Sequence, residues 1–371
     1  MDGRQSARRA AFALAAALAF LGGGVAAALT QSTSGPGTAS AAPSGTAIAA
    51  VVSPRPTPVS ATPKPTATPL PSAAAPTPTP PATPTPSPTP TPKAVVIPPL
   101  SACPIFPATN VWNKRIDALP VAANSDVMVA AIGIGSSLHP DFSASGYGIP
   151  YNVVGSSTPR SSVSFTYASE SDRVKYPIPA KPKIEGGSDR HLLMVDTNAC
   201  KLYELFAAAH TTNGWHAGSG AVWDLRSNHL RPAGWTSADA AGLPILPGLV
   251  RYDDVLRGAI RHAIRFTASV TCNGYIYPAR HKAGSGSCAT RPPMGLRVRL
   301  KRSVDISHYG SQARIVLTAL KRYGMILADN GSPWYITGAP SSKWNDTVLH
   351  TLGSIKGSDF EVVDTTGFVN G

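Results

Sequence analysis

HLLMVDTNACKLYELFAA (191–208) decides how this chain folds. Two runs rich in Leu, Val, Phe and Tyr, at 191–196 and 201–208, flank the four-residue turn TNAC, and that layout predicts a β-hairpin. Further short strand candidates lie on either side: SVSFTY (162–167), AVWDL (221–225), HAIRFTA (262–268), GYIYPAR (274–280) and GLRVRLK (295–301). Clusters of Gly, Pro and Asn separate them. Helices are few. SDVMVAAI (125–132) is one, with Ser125 as its expected N-cap. SQARIVLTALKRYGM (311–325) is another, with Ile315, Leu317, Leu320 and Tyr323 on one face and Gly324 at its stop. A third is expected after Ser342, through Trp344 and Leu349. Many antiparallel strands with only peripheral helices predict a mainly β domain with a β-sandwich or jelly-roll-like core.

The rest of the chain is of another kind. Pro54–Lys93 holds 16 prolines in 40 residues. Proline fixes φ and lacks an amide donor, so this run enters neither helix nor sheet interior. With almost no apolar bulk it cannot offset the entropy of ordering, and it is expected to be a solvated polyproline-II spacer rising about 3.1 Å per residue. Before it, Arg4, Arg8 and Arg9 precede an uncharged run from Ala10 to Leu29. This predicts a secretory signal, or an uncleaved anchor that is the chain's one means of membrane attachment. Small residues at Ala39-Ser40-Ala41 and Val25-Ala26-Ala27 favour cleavage. The expected division is 1–41 leader, 42–97 proline- and threonine-rich linker and 98–371 folded domain. The domain is long enough to bury a sizeable core.

All four cysteines lie in that domain, and an even count in an exported chain predicts two disulfides. Three pairings are possible; Cys272–Cys288, which would close a glycine-rich loop, is favoured, and that leaves Cys103–Cys200; zinc is the alternative, but no CxxC spacing exists. The domain carries 27 Lys and Arg against 19 Asp and Glu, a net of +8, which suits solubility and attraction to anionic envelope polymers. Nucleic acid is a poor fit because the basic residues are scattered. Arg297, Arg299, Lys301 and Arg302 alternate with Val298 and Leu300 and read as the exposed face of one strand.

FPATNVWN (106–113), EGGSDRH (185–191), GSGAVWDLRSNHLRPAGWTSADAAGLPILPGLVRYDD (218–254), PARH (278–281) and ADNGSPWYI (328–336) are the densest polar stretches. They resemble those of a group of uncharacterised secreted bacterial proteins that share FPxxNxWN, GSGAVWDLRSN and ADNGSxWYI. The resemblance covers nearly all of the domain after the linker. It implies a self-contained exported module and carries over no activity and no catalytic residue.

Chemistry is therefore argued from residue types. A proline-threonine spacer suits an enzyme that searches an extracellular or cell-wall polysaccharide, and glycoside hydrolysis needs two carboxyl groups across the bond. Asp224, Asp329 and His191 are the catalytic candidates. Asp189, Arg226, Asn228, His229, Trp235, His281, Asn330 and Trp334 are candidates for holding substrate. The loops carrying them are expected to converge on one cleft. Each has a structural reading beside the functional one: Asp189 and Asp329 suit turns, Asp239 suits a helical cap, and at least three of the six tryptophans are expected in the core. His191, His262 and His281 offer a rival, a zinc site or a lyase base with Arg190, Arg280 or Arg226 on a uronate carboxylate. The basic charge favours an acidic substrate slightly. No HExxH, HxH or GxSxG spacing appears, GIGSS (133–137) follows a helix rather than opening one, and no cofactor is expected. A second function class fits the same features, a non-catalytic glycan- or protein-binding head on a stalk. An enzyme requires acid groups within catalytic reach, whereas a binding head requires an exposed aromatic platform.

Overall fold

The computed structural model describes residues 99–368; the expected leader and linker lie outside the described residues. Helix α1 (Ser125–Gly133) precedes strands β1 (His139–Asp141), β2 (Tyr151–Val154), β3 (Arg160–Ser161), β4 (Val163–Phe165) and β5 (Tyr176–Pro177). Then come β6 (Leu192–Asp196), β7 (Lys201–Phe206), β8 (Ala209–Thr211), β9 (Gly214–Ala217) and β10 (Ser219–Asp224). After a long loop follow α2 (Tyr252–Leu256), β11 (Ile264–Ala268), β12 (Arg297–Leu300), α3 (Ser311–Arg322), β13 (Met325–Asn330), β14 (Tyr335–Thr337), α4 (Asp346–His350) and β15 (Phe360–Val362).

The fold is mainly β, built from several sheets with few helices. Six strands pair in the order β1-β14-β11-β13-β12-β15 and four in the order β10-β7-β6-β2. Both sheets are mixed: β1 with β14, β11 with β13 and β2 with β6 run parallel. The hairpin at 191–208 forms as β6 and β7, with Asp196 opposite Lys201 across its turn. Its strands are buried on both faces except at Lys201 and Phe206, which explains the near-continuous apolar run. The two disulfides are Cys103–Cys200 and Cys272–Cys288, and among the described residues no cysteine is free. Disulfides of this kind belong to an oxidising compartment.

α1 and α3 fall where the periodicity placed them, with one change of role, whereas α4 begins after Trp344 and α2 has no counterpart in the sequence reading. Ser125 is the first residue of α1 rather than its cap, and its hydroxyl accepts from the amide of Val362 in β15 at 2.9 Å. Asn345 caps α4 through the amide of Val348 at 3.1 Å. Gly324, at φ +63°, turns α3 straight into β13; a Cβ there would meet the Val298 carbonyl at 2.2 Å.

Two strand readings are corrected. GYIYPAR makes only a single bridge, Tyr275 to Met294, because Pro278 has no amide to donate and the segment crosses over the domain as loop. The basic residues of β12 are no exposed face. Arg297 is 2% exposed and donates to the carbonyls of Val111, Lys114 and Tyr323. Arg299 binds Glu361 at 2.7 Å. Both guanidiniums point inward, toward carbonyls that neighbouring segments present there.

The main core draws on both large sheets, and a smaller cluster gathers around Tyr176, Met194 and Tyr203. Trp334 is fully buried and stacked between Phe266 and Phe360, with ring centroids 5.7 and 4.8 Å away, and its ring N–H donates to the Gly133 carbonyl at 2.7 Å. Trp112, Trp223 and Trp344 are also buried, so four of the six tryptophans are core.

Candidate functional site

The site begins with an arginine inside an apolar strand. Arg265 lies in β11 between β14 and β13 and is 3% exposed. A buried guanidinium needs partners for its donors. Asp239 supplies a bidentate pair, at 3.0 Å to Nε and 2.8 Å to Nη2. Thr337 of β14 accepts from Nη1 at 2.7 Å, and Asp329 of β13 accepts from Nη2 at 3.2 Å. The β11–β13 ladder shifts register between Phe266 and Thr267, so that Thr267 faces Asp329. Such a bulge re-aims a side chain.

Asp239 reaches this point on a loop fastened throughout. The Ser237 hydroxyl accepts from the Asp239 amide at 2.9 Å and donates to the Leu243 carbonyl at 2.6 Å. The amide of Ala241 donates to the Ala328 carbonyl at 2.9 Å, beside Asp329. Arg231 donates to Asp172 at 2.5 Å and to the carbonyls of Glu170 and Thr236. Asp239 is thus a buried counter-ion and not a helical cap; the Ser237 hydroxyl holds the turn.

The hairpin contributes the next group. His191, immediately before β6, is 3% exposed. Its Nδ1 lies 2.5 Å from the Glu185 carboxylate and its Nε2 lies 2.9 Å from the Ala238 carbonyl. Two acceptors require two ring protons, so His191 is an imidazolium. Burial opposes this, but Glu185 prevails and raises the pKa to about 9. Glu185 is held below the usual carboxylate range by His191 against its own burial. Arg190 takes a left-handed φ of +44° between half-buried Asp189 and His191.

Asp329 is the group these charges act upon. Its side chain is 25% exposed, whereas that of Asp239 is fully buried. Burial and the Asp239 carboxylate push Asp329 up to about 8, with Asp189 adding to the rise and Arg265 and His191 opposing it. Because Asp239 already neutralises Arg265, a second anion there is unfavourable, which favours the protonated form of Asp329. Beneath the cluster, Glu204 of β7 accepts from the amides of Ile245 and Leu246 at 2.9 Å each. Burial still raises it to about 7.

No family model matches this chain, and neither does any curated protein or solved structure.

The structure brings Asp329, His191 and Asp189 into one electrostatic cluster and leaves Asp224 out of it. Asp224 closes β10 opposite Lys201, five residues along the strand from Ser219 at the His191 end, a separation of about 17 Å. It is exposed and accepts from the Arg226 amide at 2.9 Å, as a turn residue does. Arg226 donates to the Ala199 carbonyl, Asn228 bonds Thr109 and Asn110, and the His229 amide donates to Ser227. Asn228 ties the loop to the start of the domain, and Arg226 ties it to the β6–β7 turn. The 185–191 and 328–330 segments thus share one electrostatic cluster, which the 224–229 loop does not join.

Trp334, expected to offer a flat ring to substrate, is instead a core residue: its left-handed φ of +61° turns the ring inward. Trp235 is half-buried, with the Arg231 guanidinium 5.5 Å from its ring centre. Asn330 accepts from Thr271 at 2.9 Å and donates to the Ala283 carbonyl at 2.5 Å, fastening the disulfide loop beside Asp329. His281 lies 2.9 Å from the Ala240 carbonyl. His262 is buried elsewhere, with Ala263, Arg251 and Asp254 around it, and burial and Arg251 keep it neutral. Among the described residues no group of three or more His, Cys, Asp or Glu is placed to hold a metal.

Arg265 and Glu204 escaped the sequence reading because they sit inside apolar runs, HAIRFTA and KLYELFAA. The available signal was that same oddity: a charge in a strand without polar alternation must be paired inside.

Proposed function

We propose that the domain is an extracytoplasmic glycan-cleaving enzyme in which Asp329 is the proton donor. The observation that carries this reading is a partly exposed carboxyl in contact with a buried Asp239–Arg265 pair, its pKa pushed up by burial and by the Asp239 charge. Glycoside cleavage requires such a group: a neutral acid that gives its proton to the leaving oxygen, with an ionised carboxylate nearby. Asp239 is sealed from substrate, so it sets the charge of the site and does not attack. In this reading half-buried Asp189 is the carboxylate that activates water and takes its proton, and buried His191 positions the segment that bears it. The proton leaves Asp329 with the departing sugar oxygen, and water supplies the hydroxyl to the anomeric carbon. The leader and spacer expected over 1–97, and the likeness to exported bacterial proteins, support a secreted or envelope-attached enzyme acting on an extracellular polysaccharide.

The test incubates the full chain with a panel of wall and capsular polysaccharides and follows release of reducing and unsaturated ends. Asp329→Asn should lower release at least about 100-fold, the scale of general-acid catalysis, while its melting temperature changes by less than about 2 °C. An Asp329→Asn protein as active as wild type, or a wild type that cleaves none of the panel, refutes the reading. The second outcome favours a binding head whose charge cluster is purely structural.

A further inference from the structure

Helix α3 ends in Lys321 and Arg322, and Arg314, Thr318 and Arg322 lie four residues apart on one of its faces. Around that end two hollows of about 480 and 420 Å³ share Arg322. The first is lined by Arg115, Arg299, Arg302, Lys321 and Arg322, with Asp117 as its one carboxylate. The second adds Arg261 and Arg314, with half-buried Tyr323 as its one aromatic ring. The sequence concealed this surface because its cations come from four separate segments.

Some of these charges have structural duties. Arg299 binds Glu361, Arg115 pairs with Asp117, and Lys321 donates to the carbonyls of Arg302 and Val304. Four others are exposed and loosely held. Arg314 makes one bond, to the Ser307 carbonyl at 3.3 Å, and Arg302 one, to the Asp117 carbonyl at 3.5 Å. The side chains of Arg261 and Arg322 have no hydrogen-bond or ion-pair partner among the described residues. Guanidiniums crowded along a concave surface repel one another, and an anion that bridges them relieves this.

We propose that this groove binds an acidic polysaccharide at a place separate from Asp329. Arginine forks match carboxylates bidentately. A groove with a single half-buried ring lacks the platforms on which bases or neutral sugars stack. The groove opens at the Met325 end of β13 and Asp329 lies toward the other end, about 13 Å along the strand. A polymer long enough to lie in the groove thus need not enter the Asp329 site, and binding here stands independently of catalysis.

Immobilised polygalacturonate, a neutral β-glucan, polyphosphate and duplex DNA are presented to the full chain at about 50 and 200 mM salt, a range over which ionic binding weakens steeply. Binding to polygalacturonate is expected, with at least about tenfold loss across that range, and none to the β-glucan. Arg261→Ala, Arg314→Ala and Arg322→Ala together should weaken it at least about tenfold with unchanged melting. Removing three exposed charges elsewhere, Lys175→Ala, Lys181→Ala and Lys183→Ala, should change it less than about twofold. Asp329→Asn should bind as wild type does, which separates this surface from the catalytic reading. Equal loss in both triple variants, tighter binding of DNA or polyphosphate than of polygalacturonate, or no binding at all overturns the proposal.

Discussion

Replacing Asp239 by asparagine is expected to turn Asp329 from a neutral acid into the counter-ion of Arg265. The Arg265 and Asp239 side chains are 4% and 0% exposed, so neither charge has water to fall back on. Stranding such a charge costs about 3–5 kcal/mol. The single variant is expected to lose less, about 1–2 kcal/mol, because Asp329 already touches Nη2 at 3.2 Å and ionises once the Asp239 charge is gone. Asp329→Asn alone should cost under about 1 kcal/mol at pH 6, since the wild-type carboxyl is neutral there and the amide is its isostere. The double variant leaves Arg265 with Thr337 and two amides and should lose the full 3–5 kcal/mol, about 2 kcal/mol beyond the sum of the singles. The pH dependence reverses as well. In wild type the raised Asp329 favours the folded state at low pH. In Asp239→Asn its folded pKa drops below the unfolded value, and stability is then lost as the pH falls through it. Urea unfolding of the three variants at pH 5 and 7, with carboxyl NMR titration of Asp329, measures both effects. Additivity within about 0.5 kcal/mol, or an Asp329 still titrating near 8 in Asp239→Asn, refutes the reasoning.

Trp334→Ala should cost about 3–5 kcal/mol in urea unfolding, since it empties a stacked core position, whereas Trp235→Ala should cost far less. Separating Cys272 from Cys288, 16 residues apart, is expected to cost about 3 kcal/mol. For Cys103 and Cys200, 97 apart, the loop-entropy expectation is about 4.7 kcal/mol, and paired Ala variants compared by denaturant midpoint test the order. Wild-type stability should decline from about pH 6.5 to 9. His191, raised to about 9, contributes fully below its unfolded value of 6.5 and loses that contribution as the pH passes 9. Glu204 and Asp329, raised to about 7 and 8, likewise bind protons more tightly folded than unfolded. A midpoint that rises from pH 6.5 to 9 contradicts these assignments.

Some features were legible because their cause is local. The hairpin at 191–208 announced itself through two apolar runs and a turn, α3 through its apolar face and Gly324, and both disulfides through the cysteine count and loop chemistry. Asp329 and His191 stood out beside Gly, Asn and Arg, and they are cluster members. Asp224 stood out equally beside Trp223 and Arg226 and proved to be a turn residue at the other end of β10. Local polarity marks a loop; it does not say which loops meet.

The sequence by itself determined the mainly β class, the disulfide-bonded character of the domain and the positions of α1 and α3, because propensity, period and cysteine count act within a few residues. Only the tertiary structure decided the parallel pairings of β1, β2 and β11, the inward turn of Trp334 and Arg297, and the meeting of Asp239, Arg265, Asp329 and Thr337. Those outcomes depend on which buried donor finds which acceptor. Asp239 and Arg265 are 26 residues apart and Arg265 and Asp329 are 64 apart, so their pairing is set by loop closure and sheet register rather than by any pattern along the chain.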